Sequence, residues 1–385
     1  MRKKVCIGDL GTIVTGNTPP RNRPELYGNH TPFIKATDIS ESEKYTYNPE
    51  ECYSEEGYNK YIKSLIPKGS TCVVTIGSIG KKMTMAHCDL FINQAMNAII
   101  PNACFDSEYV YYAVKNVLGN IKTLDSGTAS GRENVSKSAF SKMEIWVEEE
   151  LPIQQRIATI LSRYDSLIEN YQKQINLLEE FAQRLYKEWF IDLRFPGYEN
   201  TKIVDGVPEG WEKKKVGDLI SKVRRTKQVS ANNYLNSGCI PVIDQSRNYI
   251  AGYTNDIESL VEVTIPYIVF GDHTRVLKYV PFSFAKGADG TQLIMSNDLE
   301  RMPQSLFYNS LIEIDLSNYS YARHFKYLKE ESILVPSKDI AQRYDKVVSQ
   351  HCQSIQKSRD QIRHLTEARD RLLPKLMSGE INVNR

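Results

Sequence analysis

No Gly or Pro interrupts the run from Ile153 to Phe190, and one residue in each turn of it forms an apolar series. Ile157, Leu161, Tyr164, Ile168, Tyr171, Ile175, Leu178, Ala182 and Leu185 follow one another in alternating steps of four and three. That spacing is a heptad seam. Pro152 suits the start of a helix, Glu148, Glu149 and Glu150 sit where the helix dipole favours negative charge, and Pro196-Gly197 follow the end. A single helix of ~37 residues would extend about 55 Å. So long an amphipathic helix cannot bury its stripe alone, which predicts a partner.

The partner lies later in the same chain. At an offset of 187 (157 to 344), the seam positions become Tyr344, Val348, His351, Ile355, Ser358, Ile362, Leu365, Arg369 and Leu372. Ile153-x-Gln155-Arg156 is matched by Ile340-x-Gln342-Arg343. The second helix therefore repeats the first. With His351, Ser358 and Arg369 in its seam, looser pairing is expected at those levels. Periodicity by itself favours a generic coiled coil, and the sequence around the helices has to say more.

The repeat extends outside the helices. Gly8-Asp9-Leu10 is echoed by Gly217-Asp218-Leu219, and Pro32 by Pro241, at an offset of 209. The offset falls from 209 to 187 by the helices, so the second domain lacks 22 residues of the first. Thr71 to Ile76 reads as a strand leading into the tight loop Gly77 to Lys82, Phe91 to Ile100 as an apolar segment, Ser107 to Leu118 as a helix, and Met143 to Val147 as a last strand. In the second half Ile265 to Phe270 is a strand running into Gly271-Asp272-His273-Thr274-Arg275. Phe284 to Gly290 is a glycine-rich loop, and Ser332 to Val335 is the closing strand before a helix that Ser337 can cap. The expected fold is α/β (α+β), with an internal pseudo-twofold repeat. Residues 1–150 form a first domain, 151–193 a central helix, 194–210 a linker, 211–336 a second domain, and 337–385 a C-terminal helix and tail.

Composition narrows the class. The 41% hydrophobic and 25% charged residues are ordinary for a globular protein, and a formal charge of +2 leaves any basic face to be found locally. No apolar run approaches the ~20 residues of a membrane span, which predicts a cytoplasmic protein without a membrane partner. The seven cysteines are scattered without a C-x-x-C pair, as expected of reduced thiols. His87-Cys88 is the one adjacent pair of potential metal ligands and reads as structural, so no metal site is expected.

Four stretches, in their order and together with the repeat, resemble the specificity subunit of type I restriction-modification enzymes. They are Leu151-Pro152-Ile153-Gln154-Gln155-Arg156-Ile157, Val207-Pro208-Glu209-Gly210-Trp211, Phe270-Gly271-Asp272-His273-Thr274-Arg275, and Leu372-Leu373-Pro374-Lys375-Leu376-Met377-Ser378-Gly379-Glu380-Ile381. The resemblance covers essentially the whole chain. It implies two globular target-recognition domains separated by two long helices that pair as an antiparallel coiled coil. It also implies double-stranded DNA, two methyltransferase subunits and restriction/translocase subunits as partners. S-adenosylmethionine, ATP and Mg2+ would be used by those partners, with no cofactor bound by this chain. The domains would read unlike halves of a split site, and the helices would fix a gap of about one DNA turn between half-site centres.

Reading bases needs Arg, Lys, Asn or Gln on loops of fixed geometry, and phosphate contact needs basic residues. In the first domain Lys35, Lys81, Lys82, Arg132 and Asn134 are candidates for bases, with Arg21 and Arg23, beside Asn17 and Thr18, on a contact loop. In the second, Arg224, Arg225 and Lys227 lead the basic run Lys213 to Lys227 for phosphate contact, and Gln245, Arg247, Arg275, Lys278, Lys286 and Arg323 are candidates for bases. A loop Lys is more often simply solvated, so the set carries more weight than any member. Asp272 and His273 read as loop hydrogen bonding that holds Arg275. The seam is expected to be formed by Ile157, Leu161, Ile168, Ile175, Leu178 and Leu185 against Val348, Ile355, Ile362, Leu365 and Leu372. Tyr186, Trp189 and Phe190 are too apolar for solvent and read as core against the second helix in preference to a docking patch, and the outer helix faces, from Asn170 to Arg184 and from Gln356 to Arg371, are expected to dock partners.

Catalytic motifs are missing. The sequence has no G-x-x-x-x-G-K-[ST] loop and no Asn-Pro-Pro-aromatic motif, and Asn17-Thr18-Pro19-Pro20-Arg21 does not supply the latter. Glu212-Lys213-Lys214 matches a nuclease-like E-x-K by chance. A non-catalytic subunit is expected. A coiled-coil scaffold that does not bind DNA and a self-sufficient restriction-methylation enzyme are the rival readings.

Overall fold

The computed structural model describes residues 2–125, 133–319 and 323–383. Its contacts fall into two units, one running to Asn170 and resuming at Gln361, the other spanning Tyr171 to Asp360. Each unit therefore contains a segment of both long helices, α4 (Leu151–Tyr186) and α7 (Lys338–Ser378).

In the first unit β2 (Gly11–Thr15), β9 (Met96–Pro101), β6 (Thr71–Val74) and β7 (Met83–Met85) lie side by side in that order, all antiparallel. A second sheet orders β3 (Tyr27–Gly28), β5 (Glu51–Tyr53), β4 (Thr31–Ile34) and β8 (Phe91–Ile92), with β4 and β8 parallel. The ribbon of β1 (Arg2–Cys6) and β10 (Glu144–Glu148) delivers the chain to α4. Strand β6 shows why its sequence is apolar throughout. Val73 enters the core shared with the helices, while Cys72 and Val74 enter a second core with Ile34 and Ile92. A strand buried on both faces has no polar side to show. The apolar segment expected over Phe91 to Ile100 is divided into β8 and β9 by Asn93 to Ala95. Three short helices, α1 (Glu55–Tyr61), α2 (Ser107–Asn116) and α3 (Lys137–Lys142), start at Ser54, Asp106 and Ser136, whose side chains accept from Gly57 N, Tyr109 N and Ala139 N.

The second unit repeats this plan. Here β18 (Leu277–Val280), β17 (Tyr267–Gly271) and β20 (Thr291–Ile294) form one sheet, with an isolated bridge from Ile220 to Ser296 where β2 pairs in the first unit. The other orders β15 (Gly252–Thr254), β14 (Ile240–Ile243), β19 (Phe284–Lys286) and β16 (Leu260–Val261), and its β14 and β19 are parallel like β4 and β8. A hairpin of β11 (Ile203–Val204) and β12 (Val207–Pro208) precedes the ribbon of β13 (Glu212–Lys215) and β21 (Ser332–Val335), which leads into α7. Helices α5 (Gln304–Ile312) and α6 (His324–Glu330) stand where α2 and α3 stand in the first unit. Part of the shortening falls between the paired sheet strands: Lys35 to Glu50 connects β4 to β5, but only Asp244 to Ala251 connects β14 to β15.

Within each unit the two helix segments run antiparallel. In the first, Ile157, Ala158 and Leu161 share a core with Leu373, Leu376 and Met377. In the second, Ala182, Tyr186 and Phe190 share one with Ile340, Tyr344 and Val348, and the Trp211 ring packs tilted against Phe190 at 5.5 Å between ring centroids. None of the expected seam residues is exposed. The expectation of looser packing at Arg369 is wrong. Arg369 is 3% exposed, and its Nη1 lies 2.5 Å from Asp165 Oδ1, whose carboxylate also accepts from the Tyr112 hydroxyl on α2. Two charges so placed are desolvated together and joined by hydrogen bonds. Arg369→Met leaves Asp165 buried without its counterion and should cost about 3–5 kcal/mol in denaturant unfolding, whereas Asp165→Leu/Arg369→Met should recover most of that loss. Equal losses in the single and double variants would show that the charges are not coupled.

Candidate nucleic-acid interface

In the second unit three loops meet at the ends of neighbouring strands: Asp244 to Ala251 after β14, Asp272 to Val276 between β17 and β18, and Gly287 to Gly290 between β19 and β20. Gln245 ties them together. Its Nε2 donates to Asp289 O at 2.9 Å, its Oε1 accepts from His273 N at 3.1 Å, and its carbonyl accepts from Thr274 Oγ1 at 2.6 Å. Gly290, at φ +74°, has a backbone conformation that L side chains rarely adopt, and a Cβ there would lie 2.7 Å from the His273 ring and 2.9 Å from the Gln245 amide, so one of them would have to shift. Arg275 takes a left-handed backbone conformation, φ +62°, at the hairpin, with Nη1 donating to Leu316 O. Arg247 is exposed at the tip of the first loop and makes no ion pair among the described residues.

The basic stretch Ser221 to Gln228 runs up to this cluster, because Val229 N donates to Lys286 O and Val229 O accepts from Ala288 N. Arg224 and Arg225 are exposed and unpaired among the described residues. Lys227 is held by Asp256 and Glu258 at 2.9 and 3.1 Å. Lys286 is half-buried at the end of β19, and Arg323 is exposed just before α6.

Two expectations need correction. Lys278 is 4% exposed and faces inward beneath the first loop, donating to Asp244 O at 2.8 Å and Asn248 O at 2.5 Å. It shapes the loop from below and does not reach a ligand above it. Asp272 does not hold Arg275. Its Oδ1 accepts from Phe325 N and its carbonyl accepts from His324 N, so this buried residue fastens the start of α6 to the strand end.

The first unit brings the corresponding loops together. Asn93 N donates to Ile34 O, Thr75 N and Ile76 N both lie within hydrogen-bonding reach of Ala95 O, and Asn17 N donates to Ile92 O. Asn97, buried in β9, donates through Nδ2 to Thr75 Oγ1 and accepts from Thr15 Oγ1, locking three strands below the loops. The basic candidates differ in availability. Arg21 pairs with Glu51 and lies 5.0 Å over the Tyr27 ring, Arg23 pairs with Glu25, and Lys35 pairs with Glu50. Lys81 is exposed and unpaired among the described residues, Lys82 donates to Ala36 O, and Asn134 bridges to Ile76 beside the same loop. Arg132 lies outside the described residues. Gln94 and Asn248, exposed at loop tips, are candidates that the sequence reading missed; each follows shortly after an apolar strand end, at Ile92 and Ile243, the one signal that marks them.

Among the described residues no helix is long and apolar enough to cross a membrane, and no group of three or more His, Cys, Asp or Glu side chains could hold a metal ion. A family model of the type I restriction modification DNA specificity domain matches residues 2–180. The MjaIX specificity subunit of a type I restriction enzyme from Methanocaldococcus jannaschii is 27% identical over 408 residues, spanning 98% of this chain and 93% of that one. The chain is thus similar to a type I restriction enzyme specificity subunit over nearly its whole length, and residues 2–180 to the DNA specificity domain. A second relative, the HindI specificity subunit of Haemophilus influenzae, is 34% identical over 142 residues, 36% of this chain and 30% of its own. The fold is similar to that of the crystallised S subunit from M. genitalium, with a TM-score of 0.59 at 17% identity, covering 98% of this chain and 96% of that one.

Burial pushes Lys278 down to about 8 from 10.5. Between those values the unfolded chain holds a proton that the folded chain has released, so folding should gain stability as pH rises from about 8 to 10.5. Lys278→Met removes this contribution. The stability difference between wild type and variant, read by urea unfolding, should therefore shift in favour of wild type across that window; parallel pH profiles would contradict it.

Proposed function

We propose that this chain is the DNA-recognition subunit of a type I restriction-modification complex and that its two units read the two unlike halves of a split, asymmetric DNA site. The observation that supports this reading best is the repeat itself: one strand plan occurs twice, and the loops at corresponding strand ends carry different polar residues. Lys35, Lys81, Gln94 and Asn134 surround one loop cluster, and Gln245, Arg247, Arg275 and Lys286 the other. Similar scaffolds with unlike loops can present unlike hydrogen-bonding patterns to base edges. Exposed Arg224 and Arg225 are suited to phosphates beside the second half-site.

The chain contributes recognition, and chemistry is assigned to partners. Methylation subunits would use S-adenosylmethionine, and a restriction subunit ATP and Mg2+; the sequence lacks the phosphate loop and the Asn-Pro-Pro-aromatic motif such work needs. Leu177 and Phe181, one turn apart on α4 and 64% and 44% exposed, lie in the polar stretch Asn170 to Arg184 and support docking there.

Co-expression with the modification subunit, followed by genome-wide mapping of methylated adenine, should yield one bipartite motif with a fixed gap. Exchanging residues 1–150 for those of a related type I specificity subunit should change one half alone. A stable complex that methylates without a motif, or a swap that changes both halves, would sink the reading. Separately, Arg224→Ala and Arg225→Ala should weaken binding evenly across sequences, each lowering the slope of log affinity against log salt by about 1. Loss of discrimination with an unchanged salt slope would assign these arginines to bases instead.

A further inference from the structure

One tyrosine in each unit joins the loop that follows the parallel strand to a long helix. In the first unit, Tyr47 lies in the connection after β4, and its hydroxyl donates to Glu169 on α4. In the second, Tyr249 lies in the connection after β14, with Oη donating to Tyr279 O at 2.6 Å and lying 3.2 Å from Gln356 Oε1 on α7. Glu169 and Gln356 are the same position of the repeat, related by the offset of 187 that relates the two seams. The connections differ in length and in nearly every other residue, yet both send a tyrosine to that helix position.

The second contact is the more elaborate. The Arg359 guanidinium, one turn further along α7 from Gln356, lies 3.9 Å over the Tyr249 ring and is itself oriented by Glu179 on α4 at 2.8 Å. A cation held against a ring face by a carboxylate behind it restricts the ring in two directions. Tyr249 directly follows Arg247 and Asn248, while Lys278 grips Asp244 O and Asn248 O from below. The loop that displays Gln245 and Arg247 is thus fixed at one end by a strand lysine and at the other by a helix.

We propose that these contacts are a pair of clasps through which each helix positions the reading loop of its own unit, making Glu169 and Arg359 positioning residues for half-site discrimination. The proposal rests on the recognition reading above. Neither residue belongs to the loops that would meet bases, and each acts through its tyrosine. Fixed loop geometry matters because paired hydrogen bonds to a base edge tolerate little displacement.

The test uses the full chain assembled with its modification subunits. Binding is measured on cognate DNA and on DNA carrying a single base change in one half-site or the other. Glu169→Ala should lower discrimination about threefold to tenfold at the half read by the first unit and leave the other half unchanged. Arg359→Ala should do the reverse, and Arg359→Lys, which keeps a cation over the ring, should retain most of the discrimination. If Arg359→Ala fails to assemble, Tyr249→Phe keeps the ring, removes the hydroxyl, and should lower discrimination at the second half alone. Discrimination that stays intact at both halves, or falls equally at both, overturns the clasps while wild type still discriminates. A wild-type complex without sequence discrimination removes the recognition reading itself, and the clasps with it.

Discussion

Each long helix carries an apolar stripe that water will not tolerate, and in each unit that stripe is covered from two sides. Ile157 and Leu161 pack against Leu373 and Leu376 of the other helix and against Tyr109 to Val114 of α2; Tyr186 and Phe190 pack against Tyr344 and against Leu306 and Phe307 of α5. Burying a side chain of this size is worth roughly 1.5–3 kcal/mol. The domain and helix pair of a unit therefore share one core, and a domain parted from its helices would expose a face it cannot leave in water.

That shared core separates two tasks. Strands such as β6 and β17 bury both faces, so the scaffold tolerates little change. The loops at their ends make few apolar contacts and are free to vary in length and chemistry. Buried polar side chains mark the border between the two: Asn97 in the first unit, Lys278 and Asp272 in the second. Each satisfies backbone or hydroxyl groups of a loop from below, giving an otherwise irregular segment a defined shape.

This division explains which features the amino-acid order disclosed. The seam positions, the buried strands β6 and β17, and the repeat follow from local periodicity and spacing, and all are present, although β6 stops at Val74, short of the expected Ile76. The core role of Tyr186, Trp189 and Phe190 was equally legible, since three aromatic residues in five cannot all face water. Lys278, Arg369 and Asp272 were misread because a charged residue can be buried only by partners distant in sequence. Asp165, 204 residues from Arg369, and the carbonyls of Asp244 and Asn248 leave no trace near the residues they neutralise. For the contact residues, a loop arginine paired with a carboxylate, such as Arg21, looks the same in sequence as an unpaired one, such as Arg247.

The ion pair of Asp165 and Arg369 bears on how a chain with two similar halves avoids pairing with the wrong partner. Shifted by the repeat offset, Arg369 falls on Ala182 and Asp165 on Cys352, both of which line a cavity of about 70 Å³ in the second unit. If two copies of α4 paired with each other in the same register, Asp165 would meet Ala182; if two copies of α7 did so, Arg369 would meet Cys352. Either homotypic pairing strands a buried charge, which costs several kcal/mol. Only unlike halves complete the pair. A single buried carboxylate and guanidinium thus weight the energetics toward pairing of the first helix with the second over pairing of either with its own likeness.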